Sequence, residues 1–415
     1  MKKIFVTVVL AAMAFAAGAQ SLNISSAYEA QNRGYYKKAK DYIDQAVQHE
    51  QTKEDAQAWY YRTMIYTKIG MALNGHDKKV TQKDANKSLR PVAPDWYRTA
   101  YLSALNWKQF DTKGEYTNNI TPFFNYIANA YLDQAYPAYN DEKNYAKAMG
   151  ICDTAIQIFN LAGDKKSAQA AYYLAGLSAM NIKDNANVKK YFNTLVSQKT
   201  DKKSVYETLF NIYREEKDTV RAMKTATSFG KNFPQNYEAD MLKAQGYLMT
   251  GNMEKVTECF MAAMNKVGDD NVKKSMLLCQ VAAIYEITGK YEEAEAKYAE
   301  SLQLEKNQYA ANFSMGKMFY NRAVDKLDAA NNVDPNDETG LYDKLNDEAK
   351  GLFRQSVQYF TSAVSYIDGR PAGEQAAQKG NLFNCLNALK TVYLRLEMND
   401  EFTAVNTRLQ QIQAN

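Results

Sequence analysis

The stretch VAAIYEITGKYEEAEAKYAES, from Val281 to Ser301, decides how this chain folds. Val281, Ala282 and Tyr285 recur at helical spacing, and so do Ala294, Tyr298 and Ser301. Gly289 stands between the two sets, where a chain leaving one helix needs a backbone shape that other residues resist. The segment therefore predicts two short antiparallel helices with a tight joint. The same pattern returns upstream at a fixed period. Val188, Ala222 and Val256 lie 34 residues apart. Each opens an equivalent run: Val188-Phe192-Leu195, Ala222-Ala226-Phe229 and Val256-Phe260-Ala263. An earlier helix repeats in step, as Ala175-Gly176-Ala179, Leu209-Phe210-Tyr213 and Lys243-Ala244-Tyr247. A period in this range marks stacked supersecondary units, each burying its apolar face against its neighbours.

With large-small-x-x-aromatic on the first helix, glycine at the joint and small-x-x-x-aromatic-x-x-small on the second, the chain resembles the tetratricopeptide repeat family. The resemblance implies an all-α, right-handed α-solenoid of about eight or nine helical hairpins. It covers residues 22–415 and is tightest over 172–320. Near the start, Gly34, Tyr36 and Ala39 precede Ile43 and Ala46. Trp59, Tyr66 and Gly70 make a second first-helix, whose partner arrives only with Ala100, Ala104 and Trp107. Tyr66 to Ala100 spans 34 residues, against 9 from Tyr285 to Ala294, so a segment carrying Pro91 and Pro94 is inserted. A smaller insertion is expected around Pro137. A large one is expected between Phe319 and Ser356, which lie 37 residues apart. Pro234 stops a helix, and Asp368-Gly369-Arg370-Pro371 separates helices at about 381–396 and 400–413 from the rest. The expected division is a leader at 1–19, repeats over 20–111 with an insertion at about 71–96, a central array at 120–320, and repeats over 321–415 with an insertion at about 322–349. Residues 111–121 mark a joint between the first two blocks. Inserted segments often carry function. Deleting residues 324–347 is accordingly expected to weaken partner binding and leave helical content nearly intact.

Residues 1–19 read as a secretory signal. Lys2 and Lys3 precede an apolar run from Ile4 to Ala17, and Ala17-Gly18-Ala19 suits cleavage. The run is too short to span a bilayer comfortably. The first cysteine is Cys152, so no lipid-anchor cysteine follows the leader. The Ala-Gly-Ala-Gln ending resembles signals common in Bacteroidetes, which implies export to the periplasm or cell envelope of a Gram-negative bacterium. The whole chain carries 51 Lys+Arg against 47 Asp+Glu, a net +4, and losing Lys2 and Lys3 leaves it nearly neutral. No concentrated basic stripe argues for nucleic acid. Seven prolines and 19 glycines in 415 residues suit long helices with short joints. The 31 tyrosines fall largely at helical spacing and read as packing between helices. None of Cys152, Cys259, Cys279 and Cys385 forms a Cys-x-x-Cys pair; Cys259 and Cys279, on consecutive helices, are the pair to test for a disulfide.

Signals for chemistry are sparse. His49 and His76 are the only histidines, neither in a metal-ligand spacing. No phosphate-cradling Gly-x-x-x-x-Gly-Lys run and no Gly-x-Gly-x-x-Gly after a strand occurs. Asp334, Asn336 and Glu338 alternate like the start of an EF-hand loop, but Thr339 and Leu345 occupy the places that need glycine and a bidentate glutamate. Glu292-Glu293 and Glu215-Glu216 are adjacent and splay around their helices, unlike paired catalytic carboxylates. No cofactor and no metal are expected. Asp218-Thr219-Val220 and Asp153-Thr154-Ala155 match a short bacterial O-glycosylation sequence, with Thr219 favoured because it is expected in a turn.

The family geometry places first-helix residues on a concave surface. Carried over, it implies inward candidates Tyr173, Leu177, Met180 and Asn181; Asn211, Arg214 and Glu215; Met241, Gln245 and Met249; and Phe313, Lys317, Tyr320 and Asn321. These mix apolar anchors with adaptable polar groups, as a peptide groove requires. Tyr173, Glu207 and Met241 stand where a carboxylate-clamp lysine would be, which disfavours a C-terminal carboxylate ligand. The reading is a non-catalytic scaffold for a peptide or protein segment of the envelope. Glycan capture is the first rival and a hydrolase the second.

Overall fold

The computed structural model describes residues 23–116, 120–334 and 339–414. The expected leader lies outside them, as do Asn336 and Glu338. The described chain is all-α, built of helices packed as successive hairpins. It divides into two compact units, one ending at Val205 and one beginning at Tyr206.

The first unit opens with a helix over residues 23–32 (α1), followed by α2 (Tyr36–Ala46), α3 (Ala56–Leu73), the short α4 (Gln82–Ser88), α5 (Trp96–Phe110), α6 (Thr121–Asn140), α7 (Tyr145–Leu161), α8 (Gln169–Asn181) and α9 (Asn185–Ser197). α3 pairs with α5, α6 with α7 and α8 with α9. α10 (Lys203–Glu215) begins just before the division. The second unit continues with α11 (Thr219–Asn232), α12 (Tyr237–Leu248), α13 (Met253–Met264), α14 (Asn271–Ile287), α15 (Tyr291–Leu304), α16 (Tyr309–Asn331), α17 (Leu341–Asp368), the short α18 (Ala372–Ala377), α19 (Lys379–Arg395) and α20 (Asn399–Ala414).

The periodic positions are the core. Val188, Ala222, Val256, Leu195, Ala226, Phe229 and Ala263 are fully buried, and Phe192 and Phe260 nearly so. Val281, Ala282, Ala294 and Ser301 are also fully buried. Lys243 departs from the apolar pattern for a local reason. Its ammonium lies 3.1 Å from Asp240, a buried carboxylate that also receives Lys266 at 2.5 Å. Two cations around one buried anion avoid leaving that charge unpaired.

Close approach of paired helices rests on glycine sockets. A Cβ at Gly70 of α3 would lie 2.3 Å from the Trp96 ring of α5. A Cβ at Gly176 of α8 would lie 2.1 Å from Phe192 of α9, and one at Gly316 of α16 would lie 2.8 Å from Phe360 of α17. Each hairpin thus seats a bulky ring of its second helix where the first helix has no side chain.

Turns and caps complete the hairpins. Asn144, Asp184, Asp218 and Asn252 each accept a backbone N–H three residues on, capping α7, α9, α11 and α13. The residue before each cap is left-handed: Lys143, Lys183, Lys217 and Gly251. Asp218 therefore caps a helix, and Thr219 is that helix's first residue, not part of a turn.

Three further expectations take a definite form. The extra residues expected around Pro137 are added helix: Pro137 lies in the last turn of a continuous 20-residue α6. All four cysteines are free. Cys279 faces Ser301 Oγ at 3.1 Å within the α14–α16 core, whereas Cys259 packs at the edge of the α12–α14 core. Finally, helix occupies residues 324–331 and 341–347, so deleting 324–347 removes helix.

Candidate functional site

The fourteen candidate residues do not form one surface of equal character. Several link neighbouring first helices. In the first unit, Asn181 Nδ2 donates to Tyr139 OH at 3.1 Å, tying α8 to α6. Tyr173 stacks on Phe192 with ring centroids 6.2 Å apart. In the second unit, Arg214 Nη1 donates to Gln245 Oε1 at 3.0 Å, joining α10 to α12. Lys317 Nζ meets Glu286 Oε1 at 2.8 Å, joining α16 to α14. Met241 packs on the Val256–Phe260 core. Met180 and Asn211 are exposed and join neither cleft below.

Two clefts gather the others. The first, of about 480 Å³, lies in the first unit. Tyr136, Tyr139 and Asn140 at the end of α6 form one wall, and Gln169, Tyr173 and Leu177 of α8 form the other. Thr200, Asp201 and Lys202, in the loop after α9, close one end. Two of the candidates, Tyr173 and Leu177, line it. They lie one helical turn apart, so both project to the same face of α8.

The second cleft, of about 330 Å³, lies in the second unit and holds four candidates: Phe313, Lys317, Tyr320 and Asn321 of α16. Phe360 of α17 forms part of its floor, and Asn384, Asn387, Ala388 and Thr391 of α19 face them. Phe313 is fixed from two sides, stacking on Tyr309 at 5.8 Å and tilting on Phe360 at 5.7 Å. Tyr320 meets the Phe353 ring edge-on at 5.5 Å. Beneath them, burial pushes the Cys385 thiol up to about 11 and also raises the Tyr309 phenol, so both are neutral at ordinary pH. Asn384 and Asn387 are exposed, and among the described residues no side chain satisfies their carboxamides or that of Asn321. Sequence reasoning missed the α19 wall. Its signal was the spacing Asn384-Asn387-Thr391 on one helical face, with Cys385, Leu386 and Leu389 buried on the other.

The insertion at 71–96 is tied to neighbouring helices. Tyr36 OH donates to Asp77 Oδ2 at 2.6 Å, and Lys79 Nζ donates to the Asn32 carbonyl. Asn74 Nδ2 and His76 Nδ1 lie 3.1 and 3.0 Å from Tyr126 OH. Ala85, Leu89, Ala93 and Trp96 are buried. The segment straps the first hairpin to α3 and α6.

Among the described residues no three His, Cys, Asp or Glu side chains group as metal ligands. Among the same residues no helix is long and apolar enough to cross a membrane.

Comparison with known proteins returns helical-repeat structures. The chain is 12% identical to the C-terminal part of a TPR repeat-containing protein from Cytophaga hutchinsonii, covering 68% of this chain and 96% of that one at a TM-score of 0.44. It is 17% identical to a TPR repeats protein from Bacteroides fragilis, covering 61% and 96% at 0.28. It is 12% identical to the TPR domain of P58(IPK), covering 95% and 98% at 0.26. No family description and no curated protein match the sequence. The likeness is one of helical-hairpin construction; ligand chemistry has to be argued from the chain's own clefts.

Proposed function

We propose that the protein is a non-catalytic scaffold that binds a peptide or protein segment, exported to the periplasm or cell envelope. One observation carries the binding assignment. Phe313, Lys317, Tyr320 and Asn321 converge in a single cleft opposite Asn384 and Asn387. A carboxamide offers two N–H donors and a carbonyl acceptor, which matches both halves of a peptide group. Fixed aromatic faces beside such amides anchor apolar side chains at little entropic cost. The cleft thus suits an extended segment held through its backbone, with an apolar residue against Phe313 and Tyr320. The leader at residues 1–19 supports export, and the scarcity of histidine supports a role without catalysis.

The test is site-specific photocrosslinking in the full-length protein within its native envelope. A crosslinker at Asn384 should capture a defined protein segment, and one at exposed Thr403 of α20 should not. Replacing Asn387 with Ala should weaken capture at Asn384. Capture that is equal at both positions, or of glycan alone, overturns the reading.

A further inference from the structure

The first-unit cleft differs from the α16–α19 cleft in the charge at its mouth. A second depression, of about 590 Å³, is lined by Lys165, Lys166, Gln169, Gln198, Lys199 and Asp201. It shares Gln169 and Asp201 with the tyrosine-walled cleft, so the two adjoin. Together they form an apolar trough, walled by Tyr136, Tyr139, Tyr173 and Leu177, that opens onto four lysines. Asp201 is the only carboxylate among the lining residues, and it lies 3.5 Å from Lys202. The nearby Asp164 is engaged elsewhere: it accepts from Ser167 Oγ and Asn125 Nδ2, each at 2.7 Å. Among the described residues Lys165, Lys166 and Lys199 have no ion-pair partner. Among the lining residues only Asp201 offsets this local excess, although the protein as a whole is near charge balance.

We propose that this trough docks an acidic peptide segment that carries an aromatic or aliphatic anchor residue. The proposal names the partner chemistry for a site separate from the α16–α19 cleft, and it rests on the scaffold reading only in its assumption of a peptide. Charge complementarity argues for the acid: like charges on a partner are repelled, and opposite charges steer and register it. The tyrosine walls argue for the anchor, because a purely ionic ligand would leave them uncovered. Tyr136 alone is 43% exposed. The lysines lie on the loops entering α8 and leaving α9, outside the helical positions a carboxylate clamp would use.

The test uses the full chain and fluorescence anisotropy. One labelled peptide carries leucine and tryptophan flanked by glutamates. A second has glutamine in place of every glutamate, and a third is an oligonucleotide of similar charge. The acidic peptide should bind, and reversing Lys165, Lys166 and Lys199 to Glu should weaken it by roughly tenfold or more. Raising the salt should weaken it as well. Tyr136→Ala should lower affinity with the thermal midpoint unchanged, because the ring is half in solvent. Equal binding of the glutamine peptide, or a triple reversal without effect in a folded protein, overturns the proposal. Tighter binding of the oligonucleotide overturns it in favour of a general polyanion surface. Because Asn384 and Asn387 take no part, crosslinking at the other cleft succeeds or fails independently.

Discussion

Two inserted stretches of similar size follow different physical rules. Between α3 and α5, the chain leaves helix at Asn74, makes only the short α4, and returns to helix at Trp96. Between Phe319 and Ser356, it simply prolongs both helices of a hairpin, α16 to Asn331 and α17 from Leu341. The first stretch contains Gly75, Pro91 and Pro94, which interrupt helices. The second keeps apolar residues at helical spacing: Ala323, Leu327 and Ala330 on one helix of the hairpin, Leu345, Ala349 and Phe353 on the other. Extra sequence with turn residues becomes a strap; extra sequence with a helical period becomes more helix. The strap holds to other hairpins, whereas the extension packs its two helices on each other and, at its base, on α19.

That contrast predicts where damage spreads. The largest effect is expected at Trp96, which fills the Gly70 socket and ends the strap. Trp96→Ala should destabilise the first unit by about 3–5 kcal/mol in urea denaturation. A loss under about 1 kcal/mol, the size of a single exchanged hydrogen bond, would make the strap an ornament.

A smaller effect is expected at Tyr36. Tyr36→Phe removes the bond to Asp77 and should cost about 1 kcal/mol at neutral pH. Burial, then the hydrogen bond and the charge of Asp77, raise the Tyr36 phenol well above its ordinary value. A group raised in the folded state stabilises below its unfolded pKa of about 10 and loses that contribution as pH climbs toward the folded value. Wild type should therefore lose stability faster than Tyr36→Phe above that pH. Parallel alkaline profiles would show that Tyr36 titrates normally.

The smallest effect is expected in the extension. Lys326 Nζ meets Glu348 Oε2 at 2.6 Å, but both side chains are more than a third exposed. Lys326→Ala should change stability by no more than about 0.5 kcal/mol. Deleting residues 324–347 should lower helical circular dichroism in proportion to the helix removed and leave the Gly316–Phe360 pairing intact. Collapse of the second unit would mean the extension supports the rest.

Much of the fold was legible from spacing. The buried runs at Val188, Ala222 and Val256 announce themselves because identical environments demand similar residues. The two insertions stand where the distance between landmarks places them, but that distance does not tell a loop from added helix; the period inside 322–349 does. The Asx caps were hidden by their commonness: Asp and Asn populate any loop. Half of the candidate cleft was readable on α16, where Phe313, Lys317, Tyr320 and Asn321 share a face. The α19 wall was not, since it is brought in by the tertiary fold from more than sixty residues away. Arg214, Lys317 and Asn181 have the chemistry of ligand contacts, but sequence cannot say that each already holds a neighbouring helix.

The glycine sockets have an evolutionary consequence. Enlarging Gly70, Gly176 or Gly316 drives a methyl into an aromatic ring, and shrinking the ring leaves a void. Neither step is tolerable alone, so each pair should change together or not at all. Such paired sites would mark which helices were duplicated as one piece, long after the remaining sequence had diverged.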